Sequence, residues 1–116
     1  SFSKINETDL SGAILKYSDL SSCTLKGVKL SNANLLGVNL KDAFCSETQI
    51  DEANLEGADL TYANLKGLNL QNSFFLEANL HGTNFTNANL ADAYLVDANI
   101  SKAITEGANL ENTILE

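Results

Sequence analysis

The sequence predicts an all-β solenoid, and three columns of residues spaced by five carry that prediction. From Ile5 in steps of five, 21 of 23 positions are Leu, Ile or Phe, the departures being Cys45 and Thr105. Two residues before these centres runs a column of mostly small side chains, Ala at 12 of 23 places and Ser or Thr at seven more. All seven glycines, from Gly12 to Gly107, fall two residues after a centre.

A period of five suits neither an α-helix nor a flat strand. On a helix it would smear the leucines around the axis. On a strand it would send successive centres to opposite faces. The spacing closes if each pentad forms one short side and one corner of a coil, with the centre and the small residue inward. Large Leu beside small Ala fills a narrow interior. Glycine suits a corner that demands φ > 0. Asn or Asp, at 13 of 23 positions just before the centre, can bond to turn backbone. Leu68 is oversized for a small slot, so the coil is expected to widen there. Thr105 is expected to fray.

Runs such as Ala53-Asn54-Leu55-Glu56-Gly57 followed by Ala58-Asp59-Leu60 resemble the pentapeptide-repeat family, in particular its cyanobacterial-type members. The likeness covers residues 1–116 as a single domain. It implies a right-handed quadrilateral parallel β-helix, with four pentads per coil and about six coils. At the spacing of parallel strands, about 4.8 Å, the rod would be roughly 28 Å long. The register runs to Glu116 without a helical cap, so a bare coil edge is expected, and such edges tend to pair.

Four pentads per coil align residues 20 apart on one wall. The wall centred on Leu15, Leu35, Leu55, Phe75, Leu95 and Leu115 gathers outward apolar residues: Ile14, Leu36, Phe74, Leu76, Tyr94, Val96 and Ile114. Phe74 should stack on Tyr94, and Leu76 on Val96. Elsewhere Phe44, Tyr62 and Ile104 stand singly. Two readings compete for the wall. It is a face for a protein partner or a second copy of the chain, or it is a ladder that stabilises stacking. Beside it an acidic face is expected from Asp51, Glu52, Glu56, Asp92 and Glu111.

The net charge is −8, and every cation is a lysine. Residues 1–46 sum to +1 and residues 47–116 to −9, so the acidity belongs to the later coils. Such a surface repels a phosphate backbone, which argues against direct nucleic-acid binding. No apolar run approaches the about 20 residues that cross a bilayer. No export signal is visible, which makes the cytoplasm the expected compartment.

Catalysis needs polar groups converging in a concave site, and a filled coil offers none. No cofactor or metal is expected. His81, the one histidine, sits in an outward column without an acid or nucleophile in its own pentad. Cys23 and Cys45 both point inward, in an offset awkward for bridging, and read as buried thiols that pack as small hydrophobes. The expected function is therefore that of a non-enzymatic rod presenting flat faces to a protein. The family also contains quinolone-resistance members that act on DNA gyrase by resembling DNA. The resemblance thus implies an alternative, a regulator of a DNA-binding protein such as DNA gyrase. Against it, Phe fills the centre only at Phe75 and Phe85, and no loop interrupts the coils.

Overall fold

A computed structural model of the chain describes residues 4–116. Three short strands, β1 (Lys4–Asn6), β2 (Thr24–Lys26) and β3 (Phe44–Ser46), form a parallel sheet in the order β1-β2-β3. The other sides of the coil are single parallel bridges. Each bridge joins a residue to the one 20 places on, as in Ile14 to Asn34 and Phe74 to Tyr94. That constant offset is what closes four pentads into one coil. The chain is a right-handed parallel β-helix with a long axis of 33 Å.

Its core is a stack of centre and small residues. Leu35, Leu40, Leu55, Leu60, Leu65, Leu70 and Leu80 have no solvent exposure, and Ala53, Ala63 and Ala93 fill the slots beside them. Phe75 and Phe85 meet edge-on inside, with ring centroids 6.4 Å apart. Hydroxyls in the small slots are also accommodated. Ser73 Oγ donates to the Ile50 carbonyl at 3.0 Å and Thr83 Oγ1 to the Leu60 carbonyl at 2.7 Å. A slot hydroxyl therefore reaches the carbonyl 23 residues earlier, and the desolvation cost of burying it is offset.

The corners are more uniform than their sequence. All 22 residues two places after a centre, from Glu7 to Asn112, have φ between 49° and 71°, and only seven of them are glycine. The Asn/Asp column supports this geometry. Each of its 13 members accepts the N–H two residues on, as Asn54 Oδ1 does from Glu56 at 3.0 Å and Asp59 Oδ1 from Thr61 at 3.0 Å. At Asp9 and Asp19 a serine hydroxyl and then the serine N–H, from Ser11 and Ser21, hold the carboxyl below its ordinary value. Because the folded value is depressed, that support is present above the usual carboxylate range and lost as pH falls through the lowered value.

The cost of the corner conformation can be measured cleanly at Gly57, where an added Cβ would meet no atom within 4 Å. Gly57→Ala isolates the left-handed penalty and is expected to cost about 1 kcal/mol. Glu52→Gly, at φ 59°, is expected to be neutral or stabilising. Urea midpoints of the two variants check both signs.

One corner departs from the pattern. At most corners the N–H three residues after the centre donates to the centre carbonyl, as Ala58 does to Leu55 at 3.0 Å. Among the described residues this bond is missing at Thr8, Val28 and Thr48, which follow β1, β2 and β3 at one corner of successive coils. Stacked β-branched residues favour the extended backbone there. Val38 and Thr83, equally branched, keep the bond, so the register of three marks this corner and not branching alone.

In the next coil the closed turn returns at Leu68, whose N–H donates to Leu65 at 3.2 Å. Where the two corner geometries meet, the coils stay paired by the parallel bridge between Gln49 and Asn69. A notch between Phe44 and Lys66 opens at this level. Leu68 lines this notch and is only 4% exposed.

Candidate protein-binding wall

The wall centred on Leu15 to Leu115 places its outward residues as the 20-residue register requires. Phe74 and Tyr94 are neighbours across a bridge, with ring centroids 5.0 Å apart and planes 7° from parallel. Even stacked they remain 40% and 37% exposed. Tyr94 in turn bridges to Ile114. Leu76 and Val96, two residues beyond the stacked rings, are half-buried one coil apart. Phe74, Leu76, Tyr94, Val96 and Ile114 therefore form one group. Ile14 and Leu36 lie apart from it, because Asn34 and Asn54 separate Ile14 from Phe74, and Glu56 separates Leu36 from Leu76.

The apolar group forfeits local stabilisation. Where the column holds Asn, the residue two places on donates to its side chain, as Leu36 and Glu56 do to Asn34 and Asn54. Phe74 and Tyr94 offer no acceptor, and among the described residues the N–H groups of Leu76 and Val96 have no protein partner. A turn bond of this kind contributes about 1 kcal/mol. Ring stacking returns an amount of the same order, while the apolar surface stays in water.

The acidic residues do not form a continuous side. Asp51 and Glu52 share one coil, and Ser31 Oγ donates to Asp51 at 2.6 Å. Gln71 and Asn72 occupy the next coil at the same places. Asp92 and Glu111 follow on successive coils, joined by a 2.9 Å bond from the Asp92 N–H to the Glu111 carbonyl. Glu56 stands on the apolar wall, at its upper edge.

His81 has more neighbours than its own pentad suggested. Its Nδ1 lies 2.6 Å from Ser101 Oγ and its Nε2 3.2 Å from the Tyr62 hydroxyl. Ser101 is one coil below, at the same place on the wall. The 20-residue period, applied to this column as it was to the apolar one, finds it. The Tyr62 ring folds over Gly82, where an added Cβ would collide with it. Both ring nitrogens are thus engaged on an outward wall. Among the described residues there is no group of His, Cys, Asp and Glu able to hold a metal. Neither the notch beside Phe44 nor the apolar hollow of the last coil, bounded by Leu90, Ile100 and Leu110, includes His81.

Cys23 and Cys45 are buried thiols. Burial foremost, and then the nearby Cys23, pushes the Cys45 thiol up to about 12. It is an inert packing residue, since the thiolate is the reactive form. Among the described residues no helix is long and apolar enough to cross a membrane.

A family model described as pentapeptide repeats, with eight copies, matches residues 1–32, 18–57, 39–75, 58–94 and 78–116. Those segments span the chain, which belongs to the pentapeptide-repeat family. Its structure is similar to the crystal structure of Rfr23, a pentapeptide repeat protein from the cyanobacterium Cyanothece 51142. The TM-score is 0.92 at 28% identity, covering 97% of this chain and 91% of that one. A pentapeptide repeat protein of the Arabidopsis thaliana thylakoid lumen aligns at 25% identity over 83% of this chain and 67% of its own, with a TM-score of 0.47. QnrB1, a plasmid-mediated fluoroquinolone resistance protein, aligns at 18% identity over 97% of this chain and 82% of its own, with a TM-score of 0.37. No curated protein matches the chain in sequence.

Proposed function

We propose that this protein is a non-enzymatic interaction rod and that the wall of Phe74, Leu76, Tyr94, Val96 and Ile114 is the face that docks a protein partner. The observation that carries the reading is the stacked, exposed Phe74–Tyr94 pair in a column where Asn would give a turn bond and a wetted surface. A stacking ladder accounts for the contact between the rings. It does not account for their water-facing edges or for the apolar Leu76 and Val96 alongside. Burying that surface on a partner returns about 25 cal/mol per Å², before association costs.

The test compares walls. Glu56→Cys places a thiol at the edge of this wall, and Lys66→Cys places one on a different side; both native residues are exposed. The buried native thiols leave each introduced one selectively reactive toward a photo-crosslinking maleimide. Crosslinks to a partner in an extract of the source cells are expected from the Glu56 variant and not from the Lys66 variant. Equal crosslinking from both would remove the assignment.

The charge supports a second reading, mimicry of DNA toward a DNA-binding protein, because residues 47–116 carry a net −9 on a narrow rod. A gyrase supercoiling assay addresses it, with inhibition or protection as the supporting outcome.

A further inference from the structure

The apolar wall is framed by carboxylates of one kind. Across the four coils that carry it, the wall and its two corners hold Glu52, Glu56, Glu77, Asp92, Asp97 and Glu116, and no lysine. Within the outward column the order is Glu56, Leu76, Val96, Glu116, so the apolar pair is bracketed by acids one coil to each side. Glu77 and Asp97 directly follow Leu76 and Val96 at the corner.

These six carboxylates, like Glu7, Asp42, Glu47, Glu106 and Glu111, differ from the four acids that support turns or neighbouring hydroxyls. Asp9, Asp19, Asp51 and Asp59 accept hydrogen bonds from turn N–H groups or hydroxyls. Among the described residues none of the six takes part in a side-chain hydrogen bond or ion pair. They are acids without a local structural task, placed around an apolar surface whose burial must bring a facing surface close to them.

A second copy of the chain docking by the same wall would oppose the two rims. A two-fold contact sets the same patch against itself, so carboxylates would meet carboxylates, and like charges brought together across an interface oppose association. We infer that the occupant of this wall is a protein segment with apolar anchors flanked by lysine or arginine. This rests on the wall being a docking face and adds the charge of what docks there.

A display library of random peptides selected on the intact chain tests both layers. The selected sequences are expected to carry aromatic or aliphatic residues with at least two flanking Lys or Arg. Raising sodium chloride from 50 to 500 mM should weaken their binding by about tenfold or more, since the screening length of exposed charges falls from about 14 to about 4 Å over this range. Glu77→Lys with Asp97→Lys should weaken it by a similar factor. Lysine is compatible with the corner, as Lys102 adopts it at φ 57°, and the salt titration on the unaltered chain stands without any variant.

Peptides that need Phe74 and Tyr94, shown by loss on Phe74→Ala with Tyr94→Ala, yet lack cations and ignore salt would overturn the charge inference and leave the docking face standing. Peptides retained by the Ala pair would overturn both. A dimer formed through this wall at low salt, seen by sedimentation and abolished by the Ala pair, would also overturn the charge inference by identifying a second copy as the occupant.

Discussion

Leu65→Ala is expected to destabilise the β-helix by about 2–5 kcal/mol, because the truncated side chain leaves a cavity in a filled interior. Leu65 has no solvent exposure and belongs to a middle coil, stacked between Cys45 and Phe85 in the core. In a solenoid each coil is stabilised mainly by the coils it touches, so the loss is felt at two interfaces. The adjacent outward residue gives the control. Lys66→Ser should change stability by no more than about 0.5 kcal/mol. Denaturant unfolding of the pair measures the difference, and similar midpoints would contradict the inward assignment of the centre column.

The small slot makes a second large and more selective prediction. Ala78 is 1% exposed. Ala78→Asp would bury a carboxylate with no cation near it, and the expected loss exceeds about 4 kcal/mol, enough to abolish cooperative folding. Ala78→Ser should cost no more than about 1 kcal/mol. Its hydroxyl would sit where Ser73 and Thr83 sit, within reach of the Leu55 carbonyl 23 residues earlier, as theirs reach Ile50 and Leu60. Circular dichroism melts of the two variants separate a slot that rejects polarity from one that rejects only charge. Equal loss for Ser and Asp would contradict the 23-residue hydroxyl bond.

Much of this architecture is legible from spacing because a repeat writes the same physical constraint many times. The inward columns, the left-handed corners and the Asn turn bonds each follow from a single pentad and hold at nearly every level. The wall could be read for the same reason, once 20 residues per coil were supplied by the family likeness. Spacing alone would not have closed the coil at four sides. What single columns do not reveal is the coupling between levels. The open corner at Thr8, Val28 and Thr48 depends on three residues stacking in register. The pentad of His81 contains neither Tyr62 nor Ser101, which reach it from 19 and 20 residues away. A shared column does not make Ile14 and Leu36 continuous with Phe74 and Leu76, because Asn34, Asn54 and Glu56 lie between them.

The central claim, that the Phe74–Tyr94 wall is a docking face and not a stacking ladder, is tested most directly by Phe74→Asp combined with Tyr94→Asp. The stack contributes about 0.5–1.5 kcal/mol, and aspartate at these places can accept the turn N–H groups of Leu76 and Val96 as Asp59 accepts that of Thr61. The coils should therefore remain folded, with a melting transition close to that of the parent chain. Parent and double variant are used side by side to capture proteins from an extract of the source cells, and both are sedimented to read self-association. The account predicts that proteins captured by the parent are lost from the double variant while its circular dichroism is unchanged. If capture survives the two aspartates in a folded chain, the wall is a ladder and not a docking face.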